Sequence, residues 1–270
     1  EEYQKLKEFN QRANSPFDTL IVYGIYVYYE EYVDISFSIQ LEELSSIPNI
    51  TNIFLIVEGQ VSSMPLEECA NVVQQLGGIL NKFPIVTGLC FDFEPMDTMM
   101  KHLLGILCLL VNERWILCCY GNAVHGKQIM NVIGNNGFYI LNGYDLGNRF
   151  LETHSPKEYK QKLERLIQNF IGKNNHRFTV AIPAIGTGNE FTRYQRDGLV
   201  YENKYKNFDD GCGYLETAVK VLQSIRDENF IGHTIWAITG KVEINGVSIY
   251  PASIFEMSGL CDYLSKVKYN

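Results

Sequence analysis

The chain has 270 residues, 46% of them hydrophobic and 20% charged, with a formal net charge of -8. That apolar content supplies a large core at a length suited to one α/β domain over residues 1–270. An acidic balance with no run of Lys or Arg excludes nucleic acid and anionic membrane surfaces as partners, and the longest apolar stretches, such as 103–111, fall short of the roughly 20 residues that a membrane span needs.

In chain order, strand-like runs occur at 19–28, 32–37, 52–57, 86–94, 115–120, 138–144, 178–185 and 233–239. Stretches of helical period fall between most of them, at 66–80, 96–111, 156–171 and 214–226. Ser155 is placed as an N-cap for the third of these, with Pro156 at its first position. Alternation of this kind implies a parallel sheet with crossover helices, and eight runs predict a single (β/α)8 TIM barrel. The stretch 186–232 between the last two runs must also supply a helix, so the barrel is expected to lack a large insertion domain. The few residues between the first two runs are a poor fit to a regular βα unit.

The seven cysteines form no CxxC pair and no Cys/His spacing suited to zinc, and the five histidines show no ligand spacing, so neither a metal nor a cofactor is expected. Cys90, Cys118 and Cys119 fall in apolar strand runs and Cys108 in an apolar helix, where they read as small buried hydrophobes. This usage leans to a reducing compartment, while the sequon Asn49-Ile50-Thr51 points the other way.

The fourth run ends "GLCFDFEP", residues 88–95. Strand side chains alternate, so Cys90, Asp92 and Glu94 share one face while Leu89, Phe91 and Phe93 take the other. Carboxylates on a core-building strand are costly unless they are paired or used. In a barrel they would also sit at the carboxyl end of a strand, where active residues gather. Asn142, Tyr144 and Asp145 close the sixth run, Pro183 and Gly186 lie at the end of the seventh, and Trp236 is within the eighth.

These residues resemble the family 18 glycoside hydrolases, which include chitinases and endo-β-N-acetylglucosaminidases. Thr87 to Glu94 matches the family's D-G-x-D-x-D-x-E strand at Gly88, Asp92 and Glu94, with Thr87 and Cys90 replacing its first two Asp. "ILNGYDL" supplies the Tyr-Asp of the sixth strand with Asn142 where Met is usual, "VAIPAIGTG" keeps Pro183 and Gly186 but has Ile185 for an aromatic, and "IGHTIWAI" keeps Gly232 and Trp236. The resemblance implies a substrate-assisted retaining glycosidase cleaving β-1,4 linkages next to N-acetylglucosamine, in chitin oligomers or the chitobiose core of N-glycans. Glu94 would be the general acid and base. Asp92 would keep a proton on Glu94 by like-charge repulsion and hold the acetamido N–H, and Tyr144 would bond the acetamido oxygen. Trp236 would floor the sugar site, with Asp145, Asn142 and Tyr23 as further substrate contacts. Cys90 stands where an Asp normally supports Asp92, and a thiol is a poor hydrogen-bond partner. An inactive chitinase-like carbohydrate-binding protein is therefore the competing reading, although such a relative usually lacks the acid. The aromatic stretch 189–205 is expected to line one end of the cleft.

Overall fold

The computed structural model describes residues 2–37, 41, 43–143, 156–183, 191–196, 199–204, 214–236, 242–244, 247–250 and 260–269. The chain is α/β, with helices α1 (Glu2–Arg12), α2 (Cys69–Leu80), α3 (Met96–Leu110), α4 (Gly126–Ile133), α5 (Pro156–Ile171), α6 (Tyr214–Gln223) and α7 (Leu260–Leu264). The strands up to the last long run are β1 (Thr19–Tyr29), β2 (Val33–Phe37), β3 (Asn52–Gln60), β4 (Gly88–Phe91), β5 (Ile116–Gly121), β6 (Gly137–Asn142) and β7 (Phe178–Pro183). They are followed by β8 (Phe191–Arg196), β9 (Leu199–Lys204), β10 (Phe230–Trp236), β11 (Val242–Ile244) and β12 (Val247–Tyr250).

Each of the eight runs expected from hydrophobic period forms a strand, and these eight hydrogen-bond in the order β10-β7-β6-β5-β4-β3-β1-β2. Pairing is parallel from β1 to β3, β3 to β4 and β4 to β5. The sheet departs from the expected barrel in two ways. It is not closed among the described residues, and β2 runs antiparallel to β1. The second departure has a simple cause, because only three residues separate Tyr29 from Val33, whereas a parallel neighbour needs a crossover of a dozen or more.

A second, four-stranded sheet has the order β11-β12-β8-β9. The stretch 189–205, read from sequence as a cleft-lining aromatic loop, thus contains an antiparallel hairpin in which Arg196 pairs with Leu199. The Asp197-Gly198 dipeptide between those partners is a hairpin signal that the sequence does carry.

The chain divides into two compact units, one of residues 17–140 with 174–178 and the other of 1–16, 141–173 and 179–270. In the first, α2 packs on α3, and both helices are amphipathic. Gly105 permits the approach: a Cβ there would lie 3.0 Å from Cys69 Sγ. Val27, Leu55, Val57, Leu89, Phe91 and Phe93 are fully buried and form the apolar side of the sheet. Thr87 fixes the start of β4, since its hydroxyl accepts from Ile53 N at 3.0 Å and its own N–H donates to Ile53 O at 2.9 Å. In the other unit, α5 packs on α6, and Tyr159 donates to Gly143 O at 2.8 Å.

Cys69, Cys90, Cys118 and Cys119 are buried free thiols, but Cys108 is exposed. The inward stripe of α3 is Met99, Leu103, Ile106, Leu107 and Leu110, which turns position 108 outward despite its apolar neighbours. Burial pushes the Cys118 and Cys119 thiols up, with the neighbouring Cys90 adding to the effect, so neither forms the reactive thiolate readily. Thiol labelling mapped by mass spectrometry should therefore modify Cys108 in the native protein and Cys69, Cys90, Cys118 and Cys119 only after denaturation.

Candidate active site

The site is built by the register of the parallel strands. Ile56 pairs with Cys90 and Val57 with Phe91, and Asp92 N donates to Val57 O at 3.0 Å, which continues the ladder one step past β4. Glu58 therefore comes level with Asp92, and paired residues of parallel strands point to the same side. Tyr26 pairs with Glu58 on the other flank. The row Tyr26, Glu58, Asp92 lies at the carboxyl ends of its strands, with Glu94 two residues further on.

The alternation expected from "GLCFDFEP" is present. Leu89, Phe91 and Phe93 are fully buried, whereas Asp92 is half-buried and Glu94 exposed. Glu58 was not anticipated. The signal was there, since "FLIVEG" also ends an apolar run with an acid, but a lone Glu in such a position reads as a solvated strand end until the register shows what stands beside it.

Electrostatically the three acids form one group. Burial, then the charges of Glu94 and Glu58, push Asp92 up to about 7. Burial and the charge of Glu94 also raise Glu58. No Lys or Arg pairs with these carboxylates among the described residues, and Asp92 Oδ1 is buried there without a hydrogen-bond partner. Cys90 does not supply one, because its thiol is engaged with Cys118, its register partner on β5. Burial and its acidic neighbours thus let Asp92 retain a proton towards neutral pH. Such a group can give a proton to a bound oxygen and take one from water.

Tyr139 donates to Asn122 O at 2.9 Å, and its hydroxyl fills the space that a side chain at Gly121 would need. His125 Nε2 meets Asp97 Oδ1 at 2.7 Å, and His102 Nε2 meets Met64 O at 2.6 Å, each a local packing contact. No group of three or more His, Cys, Asp or Glu among the described residues could hold a metal ion.

Of the residues expected at the site, Tyr23, Asp92 and Glu94 occur in the unit 17–140, and Tyr23 pairs with Ile56 on the face that carries the acids. Asn142 ends β6 and is half-buried, in the other unit. Tyr144 and Asp145 lie outside the described residues, as do Ile185 and Gly186. Trp236 ends β10, and its side chain is also outside them.

No protein-family model and no curated protein matches the chain. Among solved structures it is similar to that of the Bacillus cereus spore cortex-lytic enzyme SleL, with a TM-score of 0.52 at 9% identity over 98% of this chain and 68% of that one. At that identity the likeness is one of fold, and it is to a TIM-barrel-like neighbour.

The raised Asp92 has a consequence for stability. Its carboxyl binds a proton more tightly folded than unfolded, so the folded state holds more protons between the ordinary carboxylate range and about pH 7, and stability falls as pH rises through that window. Asp92→Asn removes the penalty. The variant should be more stable than the parent at pH 8, by on the order of 1–3 kcal/mol, and no more stable near pH 4, as thermal melts at the two pH values will read.

Proposed function

We propose that the chain is a glycoside hydrolase of the family 18 type, cleaving β-1,4 linkages next to N-acetylglucosamine with help from the substrate's own acetamido group. The observation that carries this reading is the row of carboxylates, Glu58 and Asp92 with Glu94 beyond, standing at strand carboxyl ends with no described cationic partner. A solvated or ion-paired strand end would leave none of these acids raised, whereas Asp92 is raised to about 7. The fold likeness to a cortex-lytic enzyme is in keeping with a glycan-cleaving activity.

In this scheme Glu94 protonates the glycosidic oxygen as the C–O bond breaks, while the acetamido carbonyl oxygen attacks the anomeric carbon to give an oxazolinium ion. Glu94, now ionised, takes a proton from water, whose oxygen opens that ring with net retention. Asp92 accepts a hydrogen bond from the acetamido N–H and steadies the positive charge that develops there. Glu58, two residues past the partner of Cys90 on β3, provides the second carboxylate beside Asp92. Tyr144 would bond the acetamido oxygen and Trp236 would floor the ring, with Asn142, Asp145 and Tyr23 around them. Chitin oligomers and the N-glycan core both present the required acetamido sugar.

The second reading, a carbohydrate-binding protein without turnover, draws on the unpartnered Asp92 Oδ1 and on the engagement of Cys90 with another thiol. A fluorogenic di-N-acetylchitobioside separates the two. The parent should release the fluorophore, and Glu94→Gln should lose activity on the order of 10²-fold or more while still binding sugar. Binding without release in the parent selects the second reading. Hydrolysis of plain β-glucosides, or full activity in Glu94→Gln, removes the substrate-assisted scheme.

A pH profile adds an independent check. Glu58→Gln takes away one of the charges that raise Asp92, so the basic limb of kcat/KM should move to lower pH. An unmoved limb would separate Glu58 from the titrating set.

A further inference from the structure

The face that carries the acids continues away from them along the β1–β2 hairpin. On β3 it comprises Ile56, Glu58 and Gln60, whose partners on β1 are Tyr23, Tyr26 and Tyr28. Three tyrosines share this side only because the register shifts between Tyr23 and Ile25, where Gly24 is an extra residue. In an unbroken strand Tyr23 and Tyr26 would point to opposite sides. Beyond β1, Tyr26 pairs with Ser36 and Tyr28 with Asp34.

The two sides of this hairpin differ sharply. Ile25, Val27 and Val33 on the reverse side are at most 4% exposed, whereas Tyr23 is 54% and Tyr26 38% exposed. The tyrosines are also held in place: the rings of Tyr26 and Tyr28 lie 6.3 Å apart, and the Tyr28 hydroxyl donates to Asp34 Oδ2. Open, oriented aromatic rings interleaved with Gln60 and Asp34 suit a ligand with apolar C–H faces and a rim of hydroxyl and amide groups. A β-linked amino-sugar chain has this chemistry, and it can lie on the tyrosines while reaching the acids, because Tyr26 is the register partner of Glu58.

We propose that Tyr26 and Tyr28, with Gln60 and Asp34 beside them, form a further saccharide-binding subsite that holds the portion of a β-linked N-acetylglucosamine oligosaccharide extending from the acids over the β1–β2 hairpin. The proposal rests on the glycosidase reading of the same face. It gives the chain a length preference: a short sugar engages the acids alone, while a longer one also covers the hairpin. Prior fixation of the rings lowers the ordering cost of binding.

The test is calorimetric titration of Glu94→Gln with di-N-acetylchitobiose and hexa-N-acetylchitohexaose, with and without Tyr26→Ala or Tyr28→Ala. Tyr28→Ala should weaken the hexamer at least about 10-fold, within the range for truncating a central aromatic, and change the dimer less than about 2-fold, while Tyr26→Ala, beside Glu58, should weaken the hexamer more than the dimer. Tyr26→Phe keeps the stacking ring and should restore hexamer binding, which separates lost stacking from a misfolded hairpin. Equal losses for both lengths, or no loss for either, would overturn the subsite. Failure of Glu94→Gln itself to bind either sugar would instead overturn the glycosidase reading, and the subsite with it.

Discussion

Like charge confined to one side of a sheet governs the described site. The register of β3 on β4 brings Glu58 level with Asp92, and chain alternation adds Glu94 on the same side. Three carboxylates so placed cannot all ionise cheaply when burial weakens solvation and no described cation stands near them. The protein therefore carries a proton in this group at a pH where isolated carboxylates have lost theirs. The proposed chemistry builds on this row of carboxylates, with the exposed Glu94 as its general acid.

Much of the architecture was legible in the sequence because hydrophobic period reports burial directly. Runs such as "TNIFLIV" and "GLCF" have too few polar residues to be anything but buried strands, and α5 occupies the same residues, 156–171, that its period and flanking Pro156 indicate. The departure of the described sheet from the expected closed barrel was harder to read. Counting apolar runs cannot distinguish a parallel neighbour from the second arm of a hairpin, and β2 belongs to a hairpin. The length of the connection carried that information, and it outweighs the count.

At the site, Asp92 and Glu94 could be found from "GLCFDFEP" because both directly follow β4, so chain order alone places them near each other. Glu58 could not, since its neighbour across the sheet is 34 positions away and only pairing makes them adjacent. The same limit applies to Cys90. In sequence it is a missing acid, and in the fold it is part of a thiol pair with Cys118. Thr87, the other departure from the family pattern, serves as a clasp between strands instead of a bearer of charge.

One step below the acids on the same side, Cys90 and Cys118 are almost wholly enclosed. Burial and the neighbouring Cys90 push the Cys118 thiol up, so it adds no thiolate charge beneath the acids. The carboxylates open on the side where Glu94 is exposed, and protons can reach them there. A ligand lying over that side would therefore control the reactant and the proton supply together.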